Sequence, residues 1–242
     1  MPPPSIETPA GILSAVTKGA FVDLGLIEYN RCWTLQRTIA EKRAAGVVPD
    51  ILLALQHPPV LTLGAGFHES NLLLSKEQYA ERGIDLVRTD RGGDVTFHGP
   101  NQLVLYPVFD IKELGRDVHT WLRDLEQCAI EICQQFGIAA RRFPPHTGVW
   151  AGNRKLAAIG VKISRWISIH GIAVNCDNDL SPFDLIVPCG IVGFGVTSLS
   201  IESHKQITVQ QALPAAVAAF EKVFSITLSR METDELEARL AA

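Results

Sequence analysis

No Cys-x-x-Cys pair and no other metal-ligand spacing occurs among the five cysteines, Cys32, Cys128, Cys133, Cys176 and Cys189. Their odd number argues against a disulfide framework, so the thiols are read as reduced. No apolar run approaches the roughly 18 residues of a membrane span, and no membrane partner is expected. A dinucleotide fingerprint is missing, because no Gly-x-Gly-x-x-Gly opens a helix, and so is a P-loop, which would end in Gly-Lys-Ser or Gly-Lys-Thr. Strong charge of one sign is absent too. With 22 Lys and Arg against 26 Asp and Glu, the net charge of −4 gives no ground for a nucleic-acid partner. Internal repeats are not found.

At 242 residues, 47% of them apolar, the chain is long enough to bury one large core or two small ones. No linker interrupts the pattern. A single catalytic domain is therefore expected over residues 19–230, between an N-terminal arm (1–18) and a C-terminal tail (231–242). The arm holds four of the fourteen prolines and little periodicity. It lacks the Arg-rich, acid-free character of a transit peptide and the uninterrupted apolar stretch of a signal peptide. A soluble, cytoplasmic enzyme is the expectation.

Apolar periodicity predicts a strand over Ala20–Leu24 and a helix from about Leu26 to Ala45, ended by Gly46. Strands follow at Ile51–Gln56 and Val60–Leu63, separated by His57-Pro58-Pro59. Ser75 and Gln78 form a capping box for a short helix that stops at Gly83, and Thr208 with Gln211 cap a later one reaching toward Val223. Further strands are predicted at Ile84–Arg88, Val95–Phe97 and Leu103–Phe109. A strongly amphipathic helix spans about Val118–Phe136, carrying Cys128 and Cys133 as buried small hydrophobes. A hairpin around Gly152-Asn153 joins Thr147–Ala151 to Leu156–Ser164, followed by a strand over Ser168–Asn175. Strands in groups, with helices between them but no strict alternation, indicate an α+β fold.

Chemistry concentrates in three places. The run Arg91-Gly92-Gly93-Asp94-Val95-Thr96-Phe97-His98-Gly99-Pro100 offers a cation, two glycines that let a ligand approach the backbone, and an imidazole. A plain turn and a structural histidine are the competing readings. Cys189 sits in Val187-Pro188-Cys189-Gly190, rigid before and permissive after, which suits an exposed thiol on a tight loop. An unperturbed thiol titrates near about 8.5 and needs a neighbouring base or cation to react at neutral pH. Lys155, followed by small residues in Leu156-Ala157-Ala158-Ile159-Gly160, is a candidate for that neighbour. Sequence spacing does not reveal whether the two meet. Residues 139–170 hold Arg141, Arg142, Arg154, Lys155, Lys162 and Arg165 and no acid, a block that attracts acidic partners or serves as a solvated strand face.

The segments RGGDVTFHGP, NRKLAAIGVKIS, IHGIAVNCDNDLSPF and VPCG, with HPPVLTLG at 57–64, closely resemble the lipoyl(octanoyl) transferase family over about residues 20–200. That resemblance implies the α+β fold of biotin- and lipoate-protein ligases, a mixed sheet flanked by helices. It also implies transfer of an octanoyl group from octanoyl-acyl carrier protein to a lysine of lipoyl domains, those of 2-oxoacid dehydrogenase complexes and of the glycine cleavage H protein. By motif position Cys189 is the acyl-thioester nucleophile, and Lys155 lowers its pKa and acts as base. Arg91, Gly92, Gly93, Asp94, Val95, Thr96, Phe97 and His98 fall in the family's substrate-binding segments, as do Ala158, Ile159 and Gly160 and then Gly171, Ile172 and Ala173. No metal, nucleotide or other cofactor is implied. Asn101 stands where a glycine is common, and Asp94 and Phe97 where Gln and Tyr or Trp are frequent.

Two other readings remain open on the residues. An ATP-dependent lipoate- or biotin-type ligase would need an acyl-adenylate site and not Cys189. A non-catalytic module that binds acyl carriers would need neither Cys189 nor Lys155.

Overall fold

The computed structural model describes residues 17–187 and 194–241. The expected arm lies outside the described residues except for Thr17 and Lys18, which belong to β1. In chain order the elements are β1 (Thr17–Leu26), α1 (Tyr29–Ala44), β2 (Asp50–Gln56), β3 (Val60–Leu63), α2 (Lys76–Glu81), β4 (Asp85–Arg88), β5 (Val95–His98) and β6 (Gln102–Val108). They continue with α3 (Val118–Gln135), β7 (Arg141–Phe143), β8 (His146–Ala151), β9 (Arg154–Ser164), β10 (Ile167–Asn175), β11 (Gly195–Val196), α4 (Leu199–Ser203), α5 (Val209–Phe224), β12 (Ile226–Arg230) and α6 (Thr233–Ala241).

Among the described residues the main sheet runs β12-β1-β2-β6-β10-β9-β8-β7, with β11 paired to β9. The pairs β12–β1, β1–β2 and β9–β11 are parallel and the rest antiparallel. A small sheet, β4-β3-β5, stands apart from it.

Both faces of the main sheet are buried, which explains why its central strands read as continuous apolar runs. Leu52, Ala54, Leu103, Leu105, Ile172 and Val174 face a core closed by α3 and α5. Their neighbours Ile51, Leu53, Leu55, Val104, Tyr106 and Ala173 face the opposite core with α1. This alternation is the period of two expected of a strand. The capping boxes of α2 (Ser75, Gln78) and α5 (Thr208, Gln211) are formed, and α5 continues through Pro214. The segment expected as a C-terminal tail contains α6, whose Leu236 is buried against the α1 core.

Candidate active site

Between the small sheet and strands β9 and β10 of the main sheet lies a cavity of about 430 Å³, within the range of small-ligand sites. The loop before β5 forms one wall. Gly92 donates its N–H to the Val161 carbonyl of β9 at 2.9 Å. Here glycine is needed for close approach. A Cβ on Gly160 would stand 2.7 Å from the Gly92 carbonyl oxygen, and one on Gly64 2.3 Å from that of Gly93. Gly93 itself has φ +87, a backbone that a side chain would strain.

Arg91 is a buried clamp for this loop. Its Nε donates to Thr62 Oγ1 at 3.0 Å, and its Nη2 reaches the Thr62 carbonyl at 2.6 Å and the Asp94 carbonyl at 2.7 Å. Asp94 accepts from the Val95 N–H at 2.8 Å and from Asn71 Nδ2. Arg91 and Asp94 thus shape the wall by holding backbone groups in fixed positions.

A chain of hydrogen bonds runs behind the cavity in one direction. Because Thr62 Oγ1 accepts from Arg91, its own proton points to His98 Nε2, 3.4 Å away. His98 Nδ1–H then donates to Gln102 Oε1 at 2.8 Å, and the Gln102 amide to Asn175 Oδ1 at 2.9 Å. The Asn175 amide donates to the Thr197 carbonyl at 2.9 Å, and the Thr197 N–H to the Lys155 carbonyl at 2.9 Å. The members from Arg91 to Asn175 are side chains, with Thr197 and Lys155 joining through their backbones, and aligned donors strengthen one another in a low dielectric. Burial pushes the His98 pKa well below the usual histidine value, which fixes a neutral ring in one tautomer.

Two more histidines are enclosed on the same side. His57 donates from Nδ1 to the Ile27 carbonyl at 2.7 Å and accepts from the Tyr106 hydroxyl at 3.0 Å. Its pKa is pushed down from 6.5 to about 4, chiefly by burial. His170 lines the cavity with φ +59, its backbone N–H held by Gln36 at 2.7 Å and its Nε2 by Asp90 at 2.9 Å. Burial lowers its pKa, and the contact with Asp90 opposes that shift.

These three imidazoles predict acid sensitivity. Unfolded histidines take up protons as the pH falls below about 6.5, whereas the folded sites resist protonation, so stability is lost from there downward. For His57 alone, the shift from 6.5 to about 4 corresponds to ~3 kcal/mol once the pH has fallen to its folded pKa. Urea midpoints measured from pH 7.5 to 4.5 should fall, beginning before most carboxylates titrate. A flat midpoint would contradict the account.

Lys155 enters the cavity from β9. Between Val149↔Ala157 and Trp150↔Lys155, two residues of β9 oppose one of β8, a bulge that turns consecutive Leu156 and Ala157 into the same core. Bulges of this kind re-aim the neighbouring side chain. The Lys155 ammonium lies 5.0 Å from the centroid of Trp150, whose ring face favours the cation. Phe143, His146 and Phe194 complete an aromatic patch around that ring. On the other side, β11 sets Val196 opposite Lys155, and Arg154 pairs with Glu202 at 2.7 Å.

Cys189 lies outside the described residues. Phe183 before that segment and Val196 after it both line the cavity. The other four cysteines are buried. Burial raises the thiol pKa of Cys32, Cys133 and Cys176 to about 12 and that of Cys128 well above its usual value.

Of the residues singled out in the sequence, Lys155 and the segments Arg91–Thr96, Ala158–Gly160 and Gly171–Ala173 line one cavity together with His98. Phe97 does not. Its ring packs on Phe183, at a ring distance of 5.7 Å. Asn101 has φ +65, a conformation that glycine adopts freely and asparagine tolerates better than most residues. The acid-free block is partly neutralised, since Arg142 meets the buried Glu126 at 3.1 Å and Arg154 meets Glu202. The sequence alone does not single out Thr62, Gln102, Tyr106, His170 or Asn175. Four of them lie within the quoted motifs or next to them, but their chemistry depends on partners brought in by the sheets. Among the described residues, no group of three or more His, Cys, Asp or Glu is placed to hold a metal ion, and no helix is long and apolar enough to cross a membrane.

Comparison with known proteins adds three findings. The family model for the lipoyl protein ligase A/B catalytic domain matches residues 28–221. The octanoyltransferase of Geobacter metallireducens is 43% identical over 213 residues, covering 88% of this chain and 97% of that protein. That of Rubrobacter xylanophilus is 45% identical over 201 residues, covering 82% and 90%. Among solved structures, lipoate-protein ligase A bound with ATP superposes with a TM-score of 0.74 at 16% identity, covering 93% of each chain. A putative lipoate protein ligase from T. acidophilum gives 0.72 at 17% identity, again over 93% of each. At such identities the structural likeness speaks for the fold alone, an α+β fold of the lipoate-protein ligase type.

Proposed function

This chain belongs to the octanoyltransferases, a family built on the lipoyl protein ligase A/B catalytic domain, and on that premise we propose that it is a cytoplasmic enzyme that moves an octanoyl group from octanoyl-acyl carrier protein to a lysine of lipoyl domains through a thioester on Cys189. The observation that carries the thioester is the state of the other thiols. Cys32, Cys128, Cys133 and Cys176 are all buried with raised pKa values, conditions that make a thiol inert. The cavity is lined by Lys155 and by Phe183 and Val196, which stand before and after the Cys189 segment in sequence, and this supports the same site.

In this reading a Lys155 ammonium favours the Cys189 thiolate, which attacks the thioester carbonyl. The bond to the carrier sulfur breaks, and the departing thiolate takes a proton from Lys155. The incoming lysine ammonium then gives a proton to the neutral Lys155, attacks the Cys189 thioester as an amine, and releases its second proton to solvent as the amide forms. Cys189 leaves as thiolate and Lys155 is again charged. Protons and electrons balance without ATP.

Purified protein, octanoyl-acyl carrier protein and an apo lipoyl domain should therefore yield a domain heavier by one octanoyl group and one free carrier thiol per transfer, with no nucleotide present. Transfer that requires ATP and releases AMP would replace this reading with that of a ligase.

A further inference from the structure

The ladder of β9 has a gap at Ile159. One edge of the strand is paired with β10 from Ala157 to Ser164. On the other edge β8 reaches only to Val149, opposite Ala157, and the next described contact is the Gly92 N–H on the Val161 carbonyl. Alternate residues of a strand present N–H and C=O to the same edge, so Ile159 turns both groups outward between those two contacts. No described backbone group pairs with them there. Glycines bound the gap. Beyond Ala157 lies Gly148, where a Cβ would stand 2.6 Å from the Ala157 carbonyl oxygen, and beyond Val161 lies Gly92. Ile159 and both neighbours line the cavity, with Lys155 farther along the same strand.

An occupant of this gap must offer one acceptor and one donor in an extended chain. The octanoyl tail has neither and its thioester only a carbonyl; the acceptor lysine side chain brings only an amine. A pantetheine-type thiol arm, two secondary amides joined by short methylene links, offers both. We propose that the open edge at Ile159 is a subsite for that arm, which adds to β9 as a short strand and so presents the thioester near Lys155. The inference rests on the carrier-thioester reading above and gives the donor's arm, rather than its acyl chain, a defined place on the backbone.

The test uses the full chain and small octanoyl thioesters: of pantetheine, of N-acetylcysteamine, and of O-acetyl-2-mercaptoethanol, in which an ester oxygen replaces the amide N–H. Each kcat/KM is divided by the donor's uncatalysed rate with a free thiol, which removes differences in leaving-group reactivity. The ester donor should fall below its amide counterpart by roughly tenfold, the order expected for a lost hydrogen bond, and pantetheine should lie above both. Equal normalised values with transfer intact would overturn the subsite alone. Absence of transfer from all three and from the octanoyl carrier protein would overturn the subsite together with the transferase reading.

Discussion

Replacing Lys155 by arginine is expected to spare much of the first half-reaction and to stop the second. In the proposed mechanism a guanidinium would still favour a Cys189 thiolate by its charge, but it does not give up its proton in proteins and cannot accept one from the incoming ammonium. Transfer from a preformed acyl-enzyme should drop by about 10²- to 10⁴-fold, the usual contribution of a positioned general base. Lys155→Ala should impair both halves. Its first half should recover in part as the pH approaches the ordinary thiol pKa near about 8.5, because solvent then supplies the thiolate. Single-turnover rates of the two steps across pH decide the matter. Normal transfer by preacylated Lys155→Arg enzyme would remove Lys155 as the base.

The surroundings of Lys155 fit this alternation of charge. Trp150 offers its ring face to an ammonium, which suits the charged Lys155 of the proposed resting state. Acylation removes the negative charge of the thiolate, and with it one interaction that kept the proton on the lysine. The bulge between Lys155 and Ala157 aims the side chain, and the Thr197 N–H on the Lys155 carbonyl ties its backbone to the Asn175–Gln102–His98 chain.

How much of this could be read from the sequence depended on how local the cause was. The capping boxes at Ser75 and Thr208 were legible because donor and acceptor lie three residues apart. The hairpin at Gly152-Asn153 was legible for the same reason, with Gly152 at φ +57 supplying the turn. By contrast, β7 has only three residues and α6 has a single buried residue, Leu236, so neither carries a periodic apolar signal. The polar chain behind the cavity was not legible. Gln102 and Asn175 are direct cross-strand partners, and Thr62 comes to His98 through the β3–β5 pairing, contacts set by sheet register rather than by any pattern along the chain. The packing of the Phe97 ring beneath Gly99 and against Phe183 is likewise set by tertiary neighbours rather than by the RGGDVTFHGP motif itself.

The thioester on Cys189 is the claim on which the mechanism stands, and intact mass tests it most directly. Protein mixed with octanoyl-acyl carrier protein alone, without ATP or acceptor, should gain the mass of one octanoyl group, located on Cys189 by peptide mapping and released by neutral hydroxylamine. Cys189→Ala should gain nothing. Substitution of Cys32, Cys128 or Cys133, each buried, should leave the adduct in place wherever the variant folds. An octanoyl adduct that persists in Cys189→Ala, or one that forms only when ATP is added, would contradict the account.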